Sequence, residues 1–329
     1  MPIIVDRKPT DPTLGACIIV KNAEHSLAQT LRSVRGVVDQ VVVVDTGSTD
    51  ETPRVATRMG AEVFFHPWSD DFSAARNAAL GHMRTDRVLV IDADERLDEE
   101  SRRGLRSLPD DASVRGYRVR IISALSETSD QVAEHRYPRV FRRRDDIRFR
   151  GAIHEQISEA ILEAGLDIVD TDIVIHHEGY RRVDRAKIDR NRKLLDAQQD
   201  RMPNDEWTAY HRGMTAFSAG DHAATMEIMR PLMTSLLLAV DQREFAILRY
   251  AQSALATDTP HEAIAVLATP MNDIHREGLR QFVLGAAYAS THTFDRALQH
   301  LEEASSTFST LIDQSAIRAY IDALRGLTS

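Results

Sequence analysis

Two runs of apolar residues, Val41–Val44 and Val88–Ile91, each end in an aspartate, Asp45 and Asp92, and this repeated device constrains the fold more than any other feature of the chain. Ala16–Val20 and Glu62–Phe65 read as two further strands of the same kind. Helical stretches lie between them. Ser26, Leu27, Thr30, Leu31 and Val34 mark one helix face, Thr52–Met59 a second helix with Ser48 and Asp50 as cap candidates, and Phe72–Met83 a third. Strands alternating with helices predict a parallel sheet wrapped by helices. Such sheets bind ligands just beyond the carboxyl ends of their strands, so function is expected at Asp45, at Asp92 and in the turns that follow them.

Past residue 110 the pattern changes. Tyr117, Val119 and Ile121 alternate with Arg118 and Arg120, and Arg139–Arg142, Ile147–Phe149 and Ile168–His176 read as further strands. Ser123–Arg136 is polar and reads as a loop, where acceptor choice would reside. A charged helix, Val183–Asp200, leads to Met202-Pro203-Asn204-Asp205, taken as a boundary between domains of residues 1–202 and 203–329. The second domain is nearly all amphipathic helix. Gly285, Tyr288, Ala297, Leu301 and Ala304 fall at the offsets of a tetratricopeptide helix pair, Ala263 and Leu267 mirror Ala297 and Leu301, and Gly213, Phe217, Gly220 and Asp221 suggest an earlier, irregular copy. A plain helical bundle is the alternative.

Composition excludes several classes. The net charge of −9 argues against nucleic-acid binding. Two basic segments stand out on this acidic background, residues 136–150 and 180–193, each with seven Lys or Arg against two Asp. They suit a small, highly charged anion such as a nucleoside diphosphate, and solvated surface would also account for them. No apolar run reaches the length of a bilayer crossing. Met1–Pro12 lacks the apolar core of a secretory signal, and the single Cys17, within an apolar strand, fits a reducing compartment, so a cytoplasmic location is expected. Aromatic residues are only 6% of the chain, which does not suggest a polysaccharide-stacking groove.

The residues themselves leave choices open. Asp45 could accept hydrogen bonds from a nucleobase or ribose with Gly47 and Ser48 allowing close approach, or could merely shape the turn. Asp92 and Asp94, two apart, would in extended backbone project to one side, one toward a sugar hydroxyl and the other toward a divalent cation. Arg76, a turn into the helix opened by Asp71 and Ser73, could reach a phosphate or ribose, or serve as an ordinary ion-pair partner.

Taken together and in this order, Lys21-Asn22-Ala23-Glu24, VVVVDTGSTDET at 41–52, WSDDFSAARNAAL at 68–80 and VLVIDADERL at 88–97 resemble the nucleotide-sugar-binding domain of glycosyltransferase family 2, in the branch with C-terminal tetratricopeptide-like repeats. The resemblance is strong over residues 14–100 and weaker to about residue 195. It implies a GT-A, Rossmann-like α/β domain followed by an all-α helical repeat domain. It further implies inversion at the sugar carbon, with Asp45 contacting base or ribose, Arg76 and Lys21 the nucleotide, Asp92 the ribose, and Asp94 the metal. In the FRGAIHE stretch at 149–155, a similar Gly-x-x-His-Glu makes Glu155 the expected general base and His154 its orienting neighbour or a diphosphate contact. A His-x-Gly-Tyr stretch matches His177 rather than His176 as a second metal ligand.

The resulting expectation is a metal-dependent inverting glycosyltransferase using Mn2+ or Mg2+ and a UDP-linked sugar, with the arginines of 142–150 helping to neutralise the leaving group. Its acceptor would be a peptide, a lipid-linked intermediate or a small metabolite. The repeat domain could pair two copies or hold a protein partner. The alternatives are a catalytically inactive scaffold of the same two domains and, more remotely, a nucleotidyltransferase, for which the Gly-rich phosphate loop is missing.

Overall fold

The computed structural model describes residues 12–109, 114–124, 132–177, 185–307 and 309–328. The chain divides into two compact units, Met1–Val183 and Asp184–Ser329.

The first unit is built on one eight-stranded mixed sheet. Its strands are β1 (Leu14–Val20), β2 (Gln40–Asp45), β3 (Glu62–Phe65), β4 (Arg87–Val90), β5 (Glu95–Leu97), β6 (Val114–Ala124), β7 (Val132–Arg142) and β8 (Asp167–His177), in the spatial order β3-β2-β1-β4-β7-β6-β8-β5. β1 to β4 are mutually parallel, whereas β7 enters antiparallel to β4 and β6. Helices cover both faces, which is why β2 and β4 are apolar at almost every position. On one face Ala16, Ile18, Val41, Val43 and Leu89 pack with Leu27, Leu31 and Val34 of α1 (Leu27–Val34), Ala56 of α2 (Thr52–Arg58) and Leu105 of α4 (Ser101–Arg106). On the other, Cys17, Val42, Val44, Val88 and Val90 meet Ala79 and Leu80 of α3 (Phe72–Gly81) and Ile161 of α5 (Ser158–Glu163). Burial pushes the Cys17 thiol up to about 12, so it packs as a small hydrophobe.

Several expectations need correction. The expected loop Ser123–Arg136 is largely hairpin: β6 runs to Ala124 and β7 starts at Val132, with 125–131 outside the described residues. Glu134, His135, Arg136 and Tyr137 are exposed, so no apolar alternation announces this strand, and Arg120 pairs across it with Glu134 at 2.7 Å. Ile147–Phe149 forms no strand; the nearest ladder is an isolated bridge between Arg150 and Gln156. Ser48 does not cap α2, because its hydroxyl accepts from Asn22 N.

The second unit holds α6 (Arg185–Arg201), α7 (Glu206–Ser218), α8 (His222–Leu232), α9 (Val240–Ala256), α10 (Pro260–Val266), α11 (Ile274–Ser290), α12 (Phe294–Ser306) and α13 (Gln314–Thr328). Helix α6, placed in the first domain by the sequence pattern, groups with the helical unit, where its Gln198 bonds Thr208 of α7 at 2.6 Å. Three helix pairs share one plan. Gly213 and Gly285 face residues sixteen positions on, Met229 and Leu301, and Ala251 stands at the same spacing before Leu267; all three large residues are fully buried. Seven positions after each small residue the chain turns through positive φ, at Gly220, Asp258 and His292. The middle copy carries Ala251 where the others have glycine, which hides it from a search on Gly.

A Cβ on Gly285 would lie 2.6 Å from Leu301 Cγ and 3.2 Å from the Ala297 carbonyl, neither of which can retreat. At Gly213 the obstacle is the flexible Met229 thioether. Gly285→Ala is therefore expected to cost about 1–3 kcal/mol by overpacking, and Gly213→Ala clearly less. Urea unfolding of the two variants checks the order; equal losses would refute this account of the helix contacts.

Candidate active site

Strand ends deliver the first side chains. Asp45 closes β2 and is 4% exposed. Its Oδ1 accepts from Gly47 N at 2.9 Å and Ser48 N at 2.8 Å, fixing the turn, while Oδ2 is buried with no hydrogen-bond partner. The turn is laced to the one after β1: Thr49 N donates to Asn22 Oδ1 at 2.8 Å, and Glu51 N to Glu24 Oε2 at 2.9 Å. Asn22 and Glu24 therefore hold the rim, and Lys21 beside them is exposed.

Helix α3 supplies the central cation. Asp71 caps it by accepting from Ala74 N at 2.9 Å. Phe72 N donates to Ala152 O at 2.8 Å, and Asn77 exchanges two hydrogen bonds with the backbone of Phe149, so the helix start is tied to the 149–155 segment. The Arg150–Gln156 bridge pinches that segment into a loop containing Gly151 at φ 98° and His154 at φ 52°. Glu155 is thereby set beside Arg76. Arg76 Nε donates to Glu155 Oε1 at 2.5 Å and Nη2 to Asp92 Oδ1 at 2.6 Å, with the Phe149 ring 5.6 Å away and Nη1 buried without an acceptor.

Beyond β4 the backbone turns, with Glu95 N donating to Asp92 O at 3.0 Å, so Asp92 and Asp94 are placed by a turn and not by strand alternation as expected. They go to different partners. Asp92 Oδ2 accepts from Arg139 of β7 at 3.1 Å, and the same Arg139 nitrogen donates to Glu95 Oε1 at 2.8 Å. Asp94 instead meets His177, Oδ2 to Nε2 at 3.3 Å, and the other ring nitrogen lies 3.2 Å from Ser123 Oγ. His176 is drawn away to Asp98 at 3.2 Å. Residues 178–180 of the His-x-Gly-Tyr stretch lie outside the described residues.

The electrostatics follow from this ladder of three carboxylates and two guanidiniums. Burial would raise Asp92, but the charges of Arg76 and Arg139 outweigh it and hold the carboxyl well below the usual range. Burial pushes Glu95 up to about 7 against the pull of Arg139. The Asp94 hydrogen bond raises His177, with burial opposing.

Arg139 and Glu95 are the members that sequence reasoning missed. The other arginines of the first basic segment do not join them. Arg142 pairs in register with Arg87 at the amino end of β4, Arg143 bonds Thr85 O at 3.0 Å, Arg144 bonds Asp146, and Arg150 bonds Glu163, so the expected role of 142–150 at the leaving group is corrected. Among the described residues no group of three or more His, Cys, Asp or Glu converges as a metal cage; Asp94 and His177 form a pair.

This constellation coincides with a known domain. Residues 16–159 match the model of Glycosyl transferase family 2. The chain carries a family 2 glycosyltransferase domain. It is 35% identical over 227 residues to a TPR repeat-containing protein of Synechococcus elongatus, a match covering 66% of this chain and 55% of that protein. It is 39% identical over 87 residues to an uncharacterized glycosyltransferase of Rickettsia felis, covering 26% and 30%. The chain thus matches about half the length of the first relative and less than a third of the second. A mannosyltransferase from Pyrobaculum calidifontis, solved in complex with GDP-Man and Mn2+, aligns with TM-score 0.46 and 14% identity over 99% of this chain and 88% of that one.

Replacing Arg76 by Met would strand two carboxylates. A loss of about 3–5 kcal/mol is expected for a broken buried pair, toward the lower end because 31% of the Asp92 side chain stays exposed. Because the native Asp92 carboxyl is held below its ordinary 3.8, its stabilisation is present above that value and disappears as pH falls through the lowered one. The wild-type advantage over R76M should therefore be full at neutral pH and shrink in acid. Guanidinium unfolding at both pH values measures it; a pH-independent gap would contradict the ion-pair account.

Proposed function

We propose that the protein is an inverting glycosyltransferase that takes its sugar from a nucleoside-diphosphate donor, UDP-linked, with the helical unit as an appended module. The observation that carries the reading is that Asp45, Arg76, Asp92, Asp94 and Glu155, all within the family-matching residues 16–159, lie at the carboxyl edge of the sheet together with His177 of β8.

The buried Asp45 Oδ2 lacks a donor, and a ring N–H of uracil supplies one. At the equivalent position cytosine and adenine present bare ring nitrogens with only an exocyclic amino group to donate, whereas guanine has a ring N–H, so Asp45 favours uracil and guanine over cytosine and adenine. Both oxygens of Asp92 already accept from arginines, so a ribose hydroxyl would share their remaining lone pairs. Lys21, exposed at the rim, is assigned to the phosphates.

Asp94 and His177, an oxygen and an imidazole nitrogen brought within 3.3 Å, are the residues that would hold Mn2+ or Mg2+. Held by Asp94 and His177, such a cation would supply Lewis-acid neutralisation of the departing diphosphate. The remaining work falls to the chain. Arg76 holds Glu155 by Oε1 alone, leaving Oε2 to take the acceptor proton. The acceptor oxygen then bonds the anomeric carbon from the face opposite the diphosphate as the carbon–oxygen bond to the diphosphate breaks. His154, in left-handed backbone one residue before, positions the base. Arg139 acts as a positioning residue, keeping Asp92 and Glu95 in place from β7.

Donor hydrolysis across UDP-, GDP-, ADP- and CDP-sugars, with Mn2+ and after chelation, tests the reading. UDP-sugar turnover that stops with chelator is expected. Asp94→Asn should remove the metal-dependent rate, and Glu155→Gln should lower kcat by about 10²–10⁴ with donor KM little changed. Full metal-dependent turnover in D94N would show that the ion sits elsewhere, and CDP-sugar preference would contradict the role of Asp45.

A further inference from the structure

Alternate residues of β6, Tyr117, Val119, Ile121 and Ser123, are buried, and the first three are apolar members of the core. Ser123, 4% exposed, is the polar end of this row. A place in line with three apolar residues favours a fourth, and a buried hydroxyl needs a partner. That partner is His177. The two residues stand in register across β6 and β8, with Ser123 Oγ 3.2 Å from His177 Nδ1. The other ring nitrogen, Nε2, lies 3.3 Å from Asp94 Oδ2. His176, one residue earlier, stands in register with the apolar Ile122, and its ring goes to Asp98.

A neutral imidazole has one bare nitrogen, and the hydrogen bond made at one end of the ring selects which end that is. For His177 to bind a cation beside Asp94, Nε2 has to be the bare nitrogen and the proton has to sit on Nδ1, where Ser123 Oγ accepts it. A hydroxyl suits this place because it serves both tautomers. It accepts from Nδ1–H in the first and, by rotating, donates to a bare Nδ1 when Nε2–H is turned to Asp94. It also brings no charge. A carboxylate in its place would be the second acid flanking this ring, because Glu95 of β5 stands in register with His177 on the other side of β8.

We propose that Ser123 is a positioning residue for the metal pair, its hydroxyl accepting the Nδ1 proton of His177 and so presenting Nε2, beside Asp94, to a divalent cation. The inference rests on the cation role proposed above for Asp94 and His177 and deepens it, adding a member from β6 to a pair drawn from β8 and the turn after β4. Ser123 acts through the imidazole and touches neither cation nor substrate.

Mn2+ titrated into the full chain with UDP, and followed by electron paramagnetic resonance, reads the affinity directly, without turnover. Wild type should bind, with an imidazole nitrogen coupled to the Mn2+ signal, and His177→Ala should bind more weakly and lose that coupling. Ser123→Ala should weaken Mn2+ binding by about 10–100-fold, and Ser123→Thr, which keeps the hydroxyl, should recover most of the loss. Added to H177A, Ser123→Ala should change nothing further, because the hydroxyl then has no ring to orient. Wild-type affinity in S123A, no recovery in S123T, or the same loss from Ser123→Ala in the H177A background as in wild type would each overturn the proposal while leaving the metal pair standing. Wild-type affinity in H177A, or no nitrogen coupling in wild type, would overturn the metal pair itself and the role of Ser123 with it.

Discussion

The candidate site depends on an alternating run of charges, Glu155–Arg76–Asp92–Arg139–Glu95, contributed by four separate segments of the chain. Carboxylates gathered at the rim of a buried sheet would repel one another and protonate. Two guanidiniums inserted between three carboxylates offset that repulsion in part, holding Asp92 ionised while burial and the Asp92 charge keep Glu95 raised to about 7. Each arginine also acts as a strut. Arg76 connects α3 to β4 and the 149–155 loop, and Arg139 connects β7 to the turn after β4. Electrostatics and geometry are therefore one constraint, since moving any of the five changes the charge felt by its neighbours.

Two unmet groups stand out at this end of the sheet, one inside the ladder and one outside it. Asp45 Oδ2 and Arg76 Nη1 are both buried without a partner, an acceptor at the end of β2 and a donor next to the end of β4. β1 lies between those strands in the parallel sheet, so the two orphans flank one strand at the carboxyl edge. Native interiors satisfy nearly all buried polar atoms, and the proposed donor would bring a hydrogen-bond donor to the first of these two and an acceptor to the second.

What could be read from the chain and what could not divides along physical lines. Asp45, Asp92 and Asp94 were legible because a strand apolar on every residue can end only at an edge, and an edge following four apolar residues must be set by the core. The three-pair plan of the helical unit was half legible, since Gly285 and Leu301 carry it openly while Ala251 fills the glycine place. Arg139 was not legible. It is one of seven arginines between 136 and 150, and only the antiparallel register of β7 against β4 shows that Arg139 reaches Asp92 while Arg142 lies beside Arg87 at the far end. Composition treats those seven alike; a strand of 3.3 Å rise separates positions 139 and 142 by roughly 10 Å. The hairpin at 114–142 was hidden for a related reason, because Arg120 and Glu134 make an exposed strand pair look like a charged loop.

Two arginines, Arg76 buried and Arg249 half-buried, then illustrate how one residue type is held in two ways. Arg76 is satisfied on two of its three nitrogens by charges of the same chain, so its energy is spent inside the fold and its removal damages the fold. Arg249 is held by one amide oxygen and two rings, and its charge stays unanswered within the helical unit. Position on a helix does not distinguish them, since both lie within one. The difference lies in the inventory of acceptors, which ties Arg76 into the architecture of the first unit by two carboxylates and gives Arg249 one amide oxygen.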